Sequence, residues 1–364
     1  MLIQADRLTQ LLVSMLTRAG APEAKARICA EHLVAANLKG HDSHGVGMAP
    51  SYVRWIAAGQ LFPDRDAQVI RESPALLVVD GRFGLGQVVA RQAIDLGIER
   101  ARNMGVACVA LRNACHIGRI GTYGEQCADA GMVSTHHVNV VGAEPMVAPF
   151  GAAEPRMVTN PYCCTVPVAG GEHIVLDFAT SAVAIGKLRV AMLKGEPAPT
   201  DALMDAQGRP TNDPRAIFTT GPHGFLKPFG LHKGGGLQVM CELLGGALAG
   251  LWTMQPAGKR DYGASINNML SVIIDPDALG ERAAFEAEAR AMVDYIKSAR
   301  PAEGVAAVLA PGDPERATMA QRLADGIPID AGSWRELTGA ATRAGLSERE
   351  ITEIVGSALE GEAI

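Results

Sequence analysis

Apolar residues open the chain at helical spacing: Leu8, Leu11, Leu12, Met15 and Leu16 share one face before Gly20. Pro22 opens a second helix that stops at Gly40, and a third runs from about Met48 to Ala58 and stops at Gly59. After Pro74 the period changes. ALLVVD reads as a strand, QVVARQAIDLGIERARNMG as a helix and GVACVALRN as a strand again, a strand-helix-strand unit. Strand-like runs follow at MVSTHHVNV, YCCTVPV, HIVLDFAT and INNMLSVIID, interleaved with helical stretches from Ser181 to Lys194 and from Gly236 to Trp252. The middle is therefore a mixed α/β lobe. Glu281 to Ala299 is helical, and Pro301 breaks it before a short strand-like VAAVLA and the turn PGDP. The rest is helical, with Ser347 and Glu350 forming a capping box. Helices of 1–70 are expected to pack with those of 314–364, beside a mixed α/β domain over 71–313.

At 364 residues the chain exceeds the size at which one core usually keeps growing, so two lobes are expected. Charged residues make up 20% and the formal charge of −6 is spread along the chain, while aromatics reach only 4%, too few for stacking platforms; nucleic acid is not an expected partner. The first helix carries Asp6 and Arg7, unlike a signal peptide, and runs such as LLGGALAGL are too short to span a bilayer. No membrane association and a cytoplasmic location are expected. Seven cysteines without a C-x-x-C pair argue for reduced thiols and against a disulfide framework or zinc. His136 and His137, adjacent in a strand, point to opposite faces, so no metal site is expected.

Four segments carry candidate chemistry. The turn KGHDSHGVG gathers His41, Asp42, Ser43 and His44 among glycines: Ser43 can donate to a carboxylate or carbonyl and His44 can transfer a proton, though Asp42 and Ser43 suit a helix cap equally well. RNACHIGRIGTYGEQ follows a strand, so His116 and Arg119 project from its end, where α/β sheets bind ligands. Arg119 can clamp a carboxylate in two-point fashion or pair with a structural acid. In VLDFATSAVAIGKL a strand ends at Asp177 and leads through Ala179, Thr180 and Ser181 into a helix whose N-terminus suits an anion, plain capping being the alternative. In FGLHKGGGL, His232 and Lys233 precede a glycine-rich helix start, and Lys233 can meet a phosphate or ribose. No G-x-G-x-x-G occurs, since Val88 and Val89 follow Gly84 and Gly86, so a dinucleotide would need a fold other than the Rossmann type. A Cys115 nucleophile beside His116 is disfavoured, because adjacent side chains rarely face each other.

D-S-H-G, H-I-G-R-x-G-x-Y, T-N-P at Thr159 to Pro161, L-D-F-A-T-S-A-V-A-x-G-K and H-K-G-G-G-L, in this order over nearly the whole chain, resemble the malate/L-lactate dehydrogenase family that is unrelated to Rossmann-type enzymes. Within it, GHDSHGVGMAPSYVRW, HIGRIGTYGEQCADAG, MCELLGGALAG and GIPIDAGSW resemble the hydroxycarboxylate dehydrogenase subgroup. The resemblance implies a non-Rossmann NAD(P)-binding fold with a mixed, largely antiparallel sheet, a helical lobe built from both termini, and a homodimer with active sites near the interface. It implies that His44 and His116 face substrate and nicotinamide. Gly118, Arg119, Ile120, Asp177, Phe178, Ala179, Thr180, Ser181, His232 and Asn268 would lie on the cofactor, NAD or NADP, with Gly312, Asp313, Pro314 and Glu315 closing over it.

Two positions depart from the family pattern. Met48 stands where many members carry an arginine for a substrate carboxylate, and Gly235 where an aromatic is common. A thioether at Met48 favours a larger or less polar substrate, leaving the carboxylate to Arg119, Ser43 or another donor. The expected reaction interconverts 2-oxo and 2-hydroxy acids, with His116 as proton donor and acceptor and Ser43 and His44 as orienters. The rivals are a cyclic Δ1-imine-2-carboxylate reductase and a catalytically silent nucleotide-binding protein.

Overall fold

The computed structural model describes residues 1–255 and 262–356. A short strand, β1 (Leu2–Ile3), precedes helices α1 (Ala5–Arg18), α2 (Glu23–Leu38) and α3 (Ala49–Ala57), each ending two residues before the glycine that punctuates it in the sequence. The α/β part follows with β2 (Gln68–Ser73), β3 (Leu76–Asp80), α4 (Gly86–Met104), β4 (Val106–Cys115), α5 (Gly121–Asp129), β5 (Val133–Val141), β6 (Tyr162–Val166) and β7 (Ile174–Phe178). Next come α6 (Ile185–Lys194), the short strands β8 (Leu203–Met204), β9 (Pro210–Thr211) and β10 (Phe225–Leu226), and α7 (His232–Cys241), which continues as a π-helix to Gly250. The chain then forms β11 (Ile266–Ile274), α8 (Arg282–Lys297), α9 (Asp313–Asp325), β12 (Ile327–Pro328), α10 (Ala331–Arg343) and α11 (Glu348–Val355). No helix among the described residues is long and apolar enough to cross a membrane.

One seven-stranded sheet in the order β2-β3-β4-β11-β5-β6-β7 organises the molecule. Only β3 and β4 run parallel, as their connection through α4 requires; the remaining neighbours are antiparallel. The sheet is thus mixed and largely antiparallel. β11 sits at its centre with seven of its nine residues buried, the setting for an apolar run without alternation. Leu8, Leu12, Leu33, Trp55, Leu337 and Ile351 belong to one buried cluster, so α1, α2 and α3 share a core with α10 and α11. β1 pairs with β12, Ile3 opposite Ile327, tying the two ends of the chain together. The Ser347–Glu350 capping box is formed.

The pattern and the structure part in four places. The helix expected from Ser181 begins only at Ile185, because Ala182 N donates to Lys227 O (2.8 Å) and Ser181 bridges Pro228, which hold the chain extended. The helix expected from Gly236 starts earlier, at His232. VAAVLA forms no strand, as no sheet edge receives it. β2, every residue exposed, carries no alternation to reveal it. Residues 357–364, the end of the expected C-terminal helical part, lie outside the described residues.

Candidate active site

β4 ends at Cys115, and His116 leaves the sheet there. A Cβ on Gly86 would lie 2.0 Å from the Cys115 carbonyl oxygen and 2.3 Å from that of His116, so only glycine lets α4 begin against this strand end. The contact brings Gln87 into place: its Nε2 donates to the His116 carbonyl (3.1 Å) and to the Tyr52 hydroxyl of α3 (2.8 Å), and that hydroxyl meets His116 Nδ1 at 2.7 Å. His44 stacks on His116, the ring centroids 5.5 Å apart and the planes 19° from parallel. Ser43 Oγ lies 2.9 Å from His44 Nδ1.

The turn that carries His44 is fixed from both ends of the chain. Asn37 accepts the Val46 N–H (2.7 Å) and donates to Asp42 (2.6 Å), while Arg322 of α9 reaches both Asp42 oxygens at 2.5 and 3.0 Å. His41 meets Glu315 at 3.2 Å. Asp42 is thus bonded into the scaffold of the turn. Met48 packs against the helical core, one turn before Tyr52.

Beyond His116, Gly118 takes φ +76°, and a Cβ there would meet His32 Nε2 at 2.4 Å; that nitrogen accepts the Arg119 N–H at 3.0 Å. The Arg119 guanidinium is buried. Its Nη1 donates to Glu125 (2.9 Å), which also pairs with Lys39, and its Nε faces Asp177 at 3.4 Å. Nη1 is thereby committed to Glu125, while Nε, although near Asp177, makes no hydrogen bond. Nη2 has no hydrogen-bond partner. Asp177 also accepts the Gly121 N–H (2.8 Å), and Ile120 is buried in the core behind the sheet.

Around the end of β7, Phe178 packs edge-on against Phe229 (5.1 Å), and Phe229 N donates to Thr180 O, joining this strand end to the start of α7, where His232 and Lys233 are exposed. Ala179 is half-buried. Thr180 donates to the carbonyls of Thr159 and Asn160, and Ser181 to that of Val183, so these hydroxyls serve the main chain and stand before the helix, not at its N-terminus. Gly312, Asp313, Pro314 and Glu315 start α9 beside β7, where Val175 N donates to Pro311 O. Asn268 lies elsewhere: fully buried in the sheet, it accepts from Asn113 N and Trp252 Nε1 and donates to Asn139. Cys115 is buried and its thiol is pushed up to about 12, which leaves no thiolate for nucleophilic attack. His136 is buried between Ser134 and Ser271, while His137 meets Tyr162 on the other face.

The family model for malate/L-lactate dehydrogenase matches residues 3–338. The chain belongs to the malate/L-lactate dehydrogenase family. It is 43% identical to hydroxycarboxylate dehydrogenase B of Escherichia coli (strain K12) over 348 residues, 95% of each chain. A solved E. coli structure described as a malate/lactate dehydrogenase superposes with a TM-score of 0.91 at 41% identity, covering 97% of this chain and 98% of the other. The Δ1-piperideine-2-carboxylate reductase structure from Pseudomonas syringae pathovar tomato superposes at 0.77 with 30% identity, covering 93% and 99%. The motifs of this family member and the comparisons agree, down to the hydroxycarboxylate dehydrogenase subgroup.

The residues this family member brings together fit a dinucleotide by their chemistry. Aromatic faces at Phe178 and Phe229 suit planar rings, and an exposed Lys233 at the first turn of the ten-residue α7 suits a phosphate. The unpartnered, buried Nη2 of Arg119 is a donor awaiting an acceptor. Tyr52, Gln87, His32, Glu125, Asn37 and Arg322 were absent from the sequence-based candidates. Tyr52 is one helical turn past Met48, a spacing that could have drawn attention to it, whereas Gln87 and Arg322 carry no local signal.

Burial holds the site histidines neutral. The His116 ring is lowered from 6.5 to about 3 by burial and by His44 and His32; His44 is lowered to about 4 by burial, against an opposing pull from Asp177. His32, 6% exposed, and His136, fully buried, are both lowered to about 3, chiefly by burial. A folded value below the unfolded one means that stability is complete above 6.5 and is lost as pH falls from there toward 3. Each histidine contributes a slope of about 1.4 kcal/mol per pH unit, so acidifying from about pH 6 to about pH 5 is expected to cost about 2 kcal/mol from His32 and His136. Urea unfolding at the two pH values checks this; an unmoved midpoint would show that these rings are solvated.

Proposed function

We propose that the protein catalyses reversible hydride transfer between a nicotinamide cofactor, NAD or NADP, and C2 of a small 2-oxo or 2-hydroxy acid. The observation that carries this reading is the stacked His44–His116 pair at the end of β4, with His116 Nδ1 held by Tyr52 and Nε2 without a protein partner among the described residues, in a chain of this family. The cofactor supplies and accepts the hydride. His116 exchanges the proton through both ring nitrogens: in reduction its Nε2 proton goes to the substrate oxygen as that oxygen gains negative charge while Nδ1 takes the Tyr52 proton, and in oxidation the two protons move back. His44 and Ser43 orient the substrate. The exposed Ser43 hydroxyl donates to the carboxylate, and Arg119, held by its two acids, adds positive charge from behind with its Nη2.

Gly118 to Ile120, Asp177 to Ser181, His232 and Lys233 would hold the cofactor, together with Gly312 to Glu315 at the start of α9. A symmetric homodimer belongs to the same reading, supported by the apolar side chains of Val239, Met240, Leu243 and Leu248 exposed along α7 and its continuation. Seven free cysteines suit a reducing compartment, and we place the enzyme in the cytoplasm.

Oxidation of NADH and NADPH is to be followed over 2-oxo acids of graded side-chain size and over cyclic Δ1-imine carboxylates. We expect turnover with keto acids and a higher kcat/KM for apolar side chains than for a second carboxylate. Met48→Arg should favour the dicarboxylate by about tenfold or more, the worth of one charged hydrogen bond at about 1.5 kcal/mol. A strong preference for the imine would replace this reading with that of the piperideine-carboxylate reductase relative. Tight NADH binding without turnover would make the protein a nucleotide binder.

A further inference from the structure

The hydrogen bonds behind His116 have a direction. A carbonyl oxygen only accepts, so the Gln87 atom 3.1 Å from the His116 carbonyl is the amide nitrogen, and the Gln87 oxygen is the atom 3.3 Å from the Cys29 thiol, which donates to it. The same Gln87 nitrogen lies 2.8 Å from the Tyr52 hydroxyl, so the Tyr52 oxygen accepts. A phenol carries one proton, and that proton is left for His116 Nδ1 at 2.7 Å. An accepting Nδ1 is unprotonated, so a neutral ring carries its proton on Nε2. Cys29, Gln87 and Tyr52 are each at most 1% exposed, so none of the three faces bulk solvent.

From this geometry we infer that Cys29, Gln87 and Tyr52 are positioning residues that hold His116 as its Nε2–H tautomer, so that the ring presents an N–H to the substrate oxygen. The proton placement follows from donor and acceptor complementarity along the chain of bonds. The Nε2 position opposite Tyr52 rests on the hydride-transfer reading for its substrate; the tautomer itself does not. A neutral imidazole N–H polarises a carbonyl ahead of hydride arrival, which is the state the 2-oxo acid meets. Burial agrees with this order, since it pushes Tyr52 well above its usual value and Cys29 upward, keeping both as proton donors.

Selective 15N-histidine labelling reads the tautomer directly, with the His116 signals assigned by their loss in His116→Gln. At neutral pH the wild-type ring is expected to show a pyridine-type Nδ1 and a pyrrole-type Nε2. In Tyr52→Phe, which keeps the ring, both nitrogens should move to intermediate shifts. That variant should also lower kcat for 2-oxo acid reduction by about 10²-fold, within the roughly 10⁴-fold that a wrong tautomer costs elsewhere, with cofactor KM within about twofold. Gln87→Met should move tautomer and kcat the same way. A wild-type Nδ1–H ring, or a single Nε2–H tautomer persisting in Tyr52→Phe, overturns the inference. The wild-type spectrum decides even if a variant fails to fold. Lack of turnover on every acid with the expected spectrum would instead refute the hydride-transfer reading.

Discussion

His116→Ala is expected to lower turnover of 2-oxo acids by about 10²–10⁴-fold at saturating cofactor, the usual contribution of a positioned acid–base group. The ring occupies the end of β4 with Nδ1 tied to Tyr52, so no neighbouring side chain can reach the same oxygen without breaking that hold. His44 is the nearest substitute, and its Nδ1 is engaged by Ser43 in a plane nearly parallel to the missing ring. The loss is expected in kcat more than in KM, because the contact strengthens only as charge develops on oxygen. Cofactor binding serves as the internal control: NADH affinity should stay within a few-fold, since Lys233 and the β7 end are untouched. Truncation also strands the Tyr52 hydroxyl, at about 1–3 kcal/mol of stability if no water enters. Near-wild-type turnover with phenylpyruvate, 2-oxoglutarate and similar acids would transfer the proton role to another group.

The elements most legible in the sequence are those whose burial is one-sided or complete. α1 buries Leu8, Leu11, Leu12, Met15 and Leu16, so its stripe is visible in one dimension, and β11, covered on both faces, is apolar apart from Asn267, Asn268 and Ser271. β2 is exposed throughout and leaves no trace, while VAAVLA has strand composition without a sheet edge to join. In the site, His44 and His116 were visible as chemistry in loops, and their stacking was not, since it depends on α2 and α9 fixing the Asp42 turn from opposite ends of the chain. Hydroxyls at Thr180 and Ser181 pointed to an anion site, yet the bridge to Pro228 delays the helix to Ile185 and turns both inward to carbonyls. Asn268 reads as a cofactor ligand by resemblance, and its side chain bonds Asn113 and Asn139 of the sheet and the Trp252 indole. Residues such as Gln87 act through contacts that sequence spacing cannot express.

Arg119→Met is expected to destabilise the fold by about 3–5 kcal/mol, the range for breaking a buried ion pair by removing one partner. The arginine side chain is 1% exposed and lies between Glu125 and Asp177, whose side chains are 21% and 7% exposed. Glu125 keeps Lys39 after the substitution, whereas Asp177 keeps only the Gly121 N–H, so the uncompensated charge falls chiefly on Asp177. Neutralising that carboxylate should therefore restore stability: Arg119→Met with Asp177→Asn is expected to lose less than the sum of the single variants, a coupling measurable by urea unfolding. Arg119→Lys should recover little, because one ammonium cannot face two acids along separate N–H edges of a planar fork. The contrasting outcome is equally concrete. If Arg119 clamps the substrate carboxylate directly, Arg119→Met will raise KM for every 2-oxo acid while the unfolding midpoint stays near wild type. The bond from Nη1 to Glu125 and the closeness of Nε to Asp177 favour the first result, and with it a guanidinium that shapes the site by neutralising these two acids.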